Sequence, residues 1–222
     1  MHRPEPFVLD RTRLRQELAE YEQLLTPPEK ELGEREDILP FFKTRPNLSA
    51  LIGLYQPPIA PPNCLKSELE VFGDCACDLA VGDDVRGLFC FVEFEAAERG
   101  SIFKQGKKGT PDWSNRLEHG FSQIVDWFYL LADQSKTQQF KSFFATHLAD
   151  YCGLLVVGRS AFLTPDQKHR LRWRSQNTRV NGRPVWIITF DELFDTLQNW
   201  VDLFANPVPP RPPKPRVRKK HK

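Results

Sequence analysis

The 222-residue chain has 40% hydrophobic and 27% charged side chains and 17 phenylalanines, which suits one packed domain with small appendages. No apolar stretch reaches membrane-span length and the N-terminus MHRPEPFVLDRTR lacks a secretory apolar segment, so a cytoplasmic protein with no membrane partner is expected. The net charge of +2 hides a division: seven of the 31 basic residues lie in the acid-free stretch 207–222, leaving 24 against 29 acids in the body.

In chain order, Leu14, Leu18, Tyr21 and Leu25 share one face of a helix over 9–25, with Asp10 as its N-cap and Pro27-Pro28 as its stop. Residues 29–54 read as two shorter helices divided near Pro46, the first preceded by Glu34, Glu36 and Asp37. A proline-rich connector at 56–62 leads to strands over 65–72, 75–82 and 88–95. The loop from Glu98 to Thr110 is basic, with Lys104, Lys107 and Lys108. Thr110-Pro111 opens a helix running to about 132, with Phe121, Ile124, Val125, Phe128 and Leu131 on its apolar face and Gln123, Asp126 and Trp127 flanking it.

A second helix spans 138–148, and a buried strand spans 153–158. The capping box Thr164-Pro165-Asp166-Gln167 starts a helix bearing Arg170, Arg172, Trp173 and Arg174, a combination suited to phosphate contacts and base stacking, or to an exposed amphipathic face. A strand over 184–190 and a helix capped by Thr189 and Glu192 complete the body; the tail's proline and charge content cannot form a core. The five cysteines fit reduced thiols, and Cys64, Cys75 and Cys77 lack the second CxxC of a zinc site. No Walker A loop, dinucleotide fingerprint or Ser-His-Asp order is present. The expected fold class is α/β, a mixed sheet with helices on its faces.

The informative stretch is 73–97, GDCACDLAVGDDVRGLFCFVEFEAA. It reads as a β-hairpin with acids where a core strand should be apolar. Glu93 and Glu95, two apart on a strand, face the same way, and pairing sets Asp78 beside them. Carboxylates converging in an apolar setting repel one another and are costly to desolvate, and a hard cation such as Mg²⁺ (or Mn²⁺) relieves both problems. Acids at the exposed rim of a hairpin are the alternative.

An Asp followed on the next strand by Glu-x-Lys is the PD-(D/E)XK nuclease signature, which this hairpin resembles, with Glu95 where the lysine belongs. The hairpin, the helix HGFSQIVDW carrying Gln123, the strand LLVVGRS and the closing WIITFDEL together resemble the C-terminal nuclease domain of the Shedu anti-phage family over about 32–204. The resemblance implies a restriction-endonuclease-like core at 32–205, an N-terminal helix at 1–31 and a basic tail at 206–222. It implies a metal-dependent DNA endonuclease in which Asp78 and Glu93 hold Mg²⁺ with the Phe94 carbonyl. Glu95 would act as base or further ligand, and Gln123 would orient water or phosphate. Glu36 is a candidate for a further carboxylate and His119 for a neighbour of Gln123. Lys104, Lys107 and Lys108 are candidates for the missing lysine's role, and Arg170, Arg172 and Arg174 for DNA contacts. DNA is the expected partner and a homo-oligomer the expected assembly. A catalytically silent nucleic-acid-binding or regulatory module, and an oligomeric scaffold, are the competing expectations.

Overall fold

The computed structural model describes residues 3–57, 61–73, 75–106, 109–144, 146 and 148–205; Lys107, Lys108 and the basic tail lie outside the described residues. The strands are β1 (Glu5–Pro6), β2 (Cys64–Glu70), β3 (Ala76–Asp83), β4 (Leu88–Phe94), β5 (Asp150–Val156), β6 (Arg179–Val180) and β7 (Arg183–Ile188). The helices are α1 (Leu14–Leu25), α2 (Leu39–Lys43), α3 (Pro46–Leu51), α4 (Asn115–Asp133), α5 (Gln138–Phe144), α6 (Pro165–Asn177) and α7 (Phe190–Ala205). The sheet order is β1-β2-β3-β4-β5-β7-β6. β2, β3 and β4 form an antiparallel meander, and β4, β5 and β7 run parallel. The fold is α/β, as expected.

β4 is the central strand, and its alternation sets the two layers. Phe89 and Phe91 join the core beneath α4, α5 and α6; Cys90, Val92 and Phe94 join the core beneath α1, α2, α3 and α7. Burying each large apolar side chain is worth about 1.5–3 kcal/mol. Four in succession hold the strand in the interior and carry Glu93 and Glu95 in with them.

Both expected capping boxes form. Thr164 Oγ1 accepts the Gln167 N–H at 3.3 Å while Gln167 Oε1 accepts the Thr164 N–H at 3.0 Å. Thr189 and Glu192 make the same exchange at the start of α7. Gly158-Arg159 and the TFDEL segment meet: Arg159, buried, binds Asp191 at 3.0 Å and the carbonyls of Leu25 at 2.7 Å and Lys30 at 2.9 Å. That cluster ties the end of α1 to α7.

Several expectations shift. α1 starts at Leu14 rather than residue 9, because the Asp10 carboxylate takes the N–H and hydroxyl of Thr12 and closes a turn there. α4 starts at Asn115 rather than Thr110. Phe103 bridges Trp113, Lys104 N–H donates to Asp112 O at 2.8 Å, and Ser114 is the cap, accepting the Leu117 N–H at 3.0 Å. Trp127 belongs to the core rather than its flank, since α4 packs on both β4 and β5. The edge strand β1 carries no signal in the sequence.

Candidate functional site

The hairpin gathers its acids at the far end of β4. Leu79 pairs with Val92, so the next rung sets Asp78 beside Glu93, and there Asp78 Oδ2 accepts the Phe94 N–H at 2.8 Å. Beyond β4 the chain stays extended, with the Glu95 N–H donating to Val156 O at 2.9 Å. Glu93 and Glu95 therefore follow Phe89 and Phe91 onto the α4 face. On the other side of β3, the rungs Ser67–Leu79 and Leu69–Cys77 leave out Glu68, whose φ of 52° is the left-handed region that a glutamate rarely adopts. That break opens the sheet beside Asp78.

α4 closes the site from above. Gln123 donates its amide N–H to Glu93 Oε1. One turn earlier, Gly120 lets the helix lie against Glu95; a Cβ there would stand 3.0 Å from Glu95 Cγ. Asp78, Glu93, Glu95, Gln123 and His119 line one cleft of about 650 Å³, together with Glu34 and Glu68.

Electrostatics follow from this crowding. Burial pushes the Glu93 carboxyl up to about 10, with Asp78, Glu95 and Glu34 adding to the rise. Burial also pushes Asp78 up to about 7, against the Phe94 N–H that favours its charged form. Glu95 rises to about 7, from burial and then from Glu34, opposed by Arg116. Among the described residues, no three His, Cys, Asp or Glu side chains stand as a ready metal shell. Each acid instead has its own partner. The exception is Glu93 Oε2, buried with no hydrogen bond. A hard oxygen donor without a partner, beside a second buried carboxyl, fits a divalent cation bound through oxygen, or a proton.

Other candidate residues divide. Glu34, in the π-helical turn Glu34–Ile38, faces the three acids, and Glu36 does not border the main cleft. The unusual turn decides between them, and helical periodicity gives no signal for it. Lys104 lines a separate pocket of about 620 Å³ with Arg170. Arg170 stacks over Phe103 and Trp113, and Arg174 forms a double contact with Glu118 at 2.6 and 3.0 Å. Arg172 borders a different cleft with Tyr55 and Trp186, so the three arginines do not form one surface with the acids. His119 is exposed at the cleft mouth, one turn from Gln123. Arg116, which sequence reasoning passed over, lies 3.3 Å from Glu95 Oε2.

Fold and site define an α/β protein with a buried carboxylate cleft where its central strand ends. The family model described as Shedu protein SduA, C-terminal, matches residues 33–194, most of the chain, and the chain belongs to that family. Membership points to a role in anti-phage defence. The match begins at the turn holding Glu34 and ends within α7, so β1 and α1 lie outside it. A comparison with curated proteins finds no match. Among the described residues, no helix is long and apolar enough to cross a membrane.

Proposed function

We propose that this protein is a metal-dependent deoxyribonuclease of an anti-phage system, hydrolysing phosphodiester bonds at the cleft of Asp78, Glu93 and Glu95. The observation that carries the reading is Glu93: buried, held through one oxygen by Gln123, its other oxygen without a partner, and set beside Asp78. The meander leading into parallel β4, β5 and β7 supports a restriction-endonuclease-like core.

Asp78 and Glu93 are the residues that would hold Mg²⁺ or Mn²⁺. Within a strand residue the N–H and C=O point to the same edge, so the Phe94 carbonyl faces Asp78 as its N–H does. A bound ion would acidify a water and offset charge on the phosphate. Glu95 borders the same cleft, where burial and Glu34 raise it to about 7 and Arg116 stands 3.3 Å from its Oε2. Gln123 fixes the Glu93 carboxylate, leaving Oε2 for other work.

The test is cleavage of linear, nicked and supercoiled DNA with Mg²⁺ and Mn²⁺. Asp78→Ala and Glu93→Ala should abolish cutting while circular dichroism shows a folded protein; undiminished cutting by either removes that residue from the site. Glu95 at the lysine position favours the other reading, a silent nucleic-acid-binding or regulatory module. DNA binding without cutting under either ion would select it.

A further inference from the structure

We propose that Arg116 supplies the positive charge that the nuclease signature assigns to a lysine and that Glu95 cannot provide. The inference rests on the hydrolytic reading above, and among the described residues the site is otherwise poor in placed cations. Lys43 borders the cleft but is anchored only on Glu68, with both side chains exposed; Arg35 borders it exposed, and Lys104 lines a separate pocket.

Arg116 lies in the first turn of α4, above the end of β4. Its Nη1 is 3.3 Å from Glu95 Oε2 and 3.7 Å from Glu34 Oε2, and its Nη2 is 3.6 Å from Glu98 Oε2. Only the first distance is within hydrogen-bond reach. A guanidinium has five N–H donors, so most of this one's donors are uncommitted while the three acids fix its position. The Arg116 side chain is 38% exposed and that of Glu95 4%, so the guanidinium borders the open groove while its anchor stays inside.

The groove that Arg116 lines adjoins the cleft and shares Glu34, Glu95 and His119 with it, and a planar fork of donors there is shaped for two oxygens of a phosphodiester. The acid at the lysine position then has a definite use: it holds the substitute cation from behind. Charge placed where it develops on a reacting phosphate is commonly worth about 10²–10³ in rate.

The experiment compares Arg116→Gln, Arg116→Lys, Glu95→Lys and the double variant Arg116→Gln/Glu95→Lys in the full chain. Arg116→Gln should cut about 10²-fold more slowly. Arg116→Lys should retain part of the activity. The double variant should recover it, because the charge then comes from the motif position; a merely structural arginine would not be replaced that way. A second readout needs no turnover: duplex binding by fluorescence anisotropy across salt concentrations, in an Asp78→Asn background. There Arg116→Gln should reduce the slope of log affinity against log salt by about 0.9, one phosphate contact. Unchanged cutting and slope overturn the proposal. So does a loss of cutting that Glu95→Lys does not recover, and so does a wild-type protein that binds no duplex. If wild type binds duplex but cuts under no condition, the hydrolytic reading fails, and the salt slope alone then decides for or against Arg116.

Discussion

Gly120 on α4 and Glu95 at the end of β4 are packed so closely that a single added carbon would collide: a Cβ on Gly120 would stand 3.0 Å from Glu95 Cγ and 2.7 Å from Leu155 Cδ1. In an open helix Gly→Ala stabilises by about 1 kcal/mol. Here overpacking opposes it by about 1–3 kcal/mol, because Leu155 is itself fully buried. Gly120→Ala should therefore leave stability unchanged or lower by about 2 kcal/mol, and should slow metal-dependent cutting by displacing Glu95. Urea denaturation checks it; a gain near 1 kcal/mol would show that α4 has slack above the site.

The raised acids predict a pH dependence. Asp78 ionises near 3.8 in an unfolded chain and near 7 when folded, so between those values the folded state keeps a proton that the unfolded state has lost. The folded state binds more protons, and stability from this group is complete below about pH 4 and falls as pH rises towards 7. The slope is at most about 1.4 kcal/mol per pH unit per group. Glu93, raised to about 10, carries the loss on into alkaline pH. In EDTA, Asp78→Asn should flatten the decline in melting temperature and melt higher than wild type at about pH 7.5. Added Mg²⁺ should raise the wild-type midpoint and leave the variant's alone. Equal slopes for the two proteins would contradict it.

Gln123 orients Glu93 through one hydrogen bond. Gln123→Ala should cost about 1 kcal/mol of stability. It should also weaken Mg²⁺ or Mn²⁺ binding roughly 10–100-fold, as loss of a group that orients a ligand commonly does. Titration calorimetry reads the affinity; an unchanged value would mean that Glu93 is held by the sheet alone.

Arg159 should matter for stability far from the cleft. Arg159→Ala leaves the Leu25 and Lys30 carbonyls without their donor and Asp191 with the Ser160 N–H but no counter-charge, at a cost of about 3–5 kcal/mol. Arg159→Lys should recover little, since one ammonium cannot span partners from three segments. Chemical denaturation distinguishes these outcomes from a surface pair, which would change stability by less than about 1 kcal/mol.

Sequence alone determined what depends on neighbours along the chain. Strand alternation set Glu93 and Glu95 on one face, turn residues placed the hairpin that brings Asp78 to them, and spacing of three marked the caps at Thr164 and Thr189. Helical periodicity found α4 and Gln123, but not where the helix starts, because the loop before it is fixed by a bridge between Phe103 and Trp113. Tertiary structure decided the rest: Glu34 over Glu36, Arg116 against a glutamate 21 residues away, Trp127 in the core, and Arg159 with Asp191 across 32 residues. Those pairings depend on which helix crosses which strand and at what register. Packing across the whole sheet sets that geometry, and no local period in the chain encodes it.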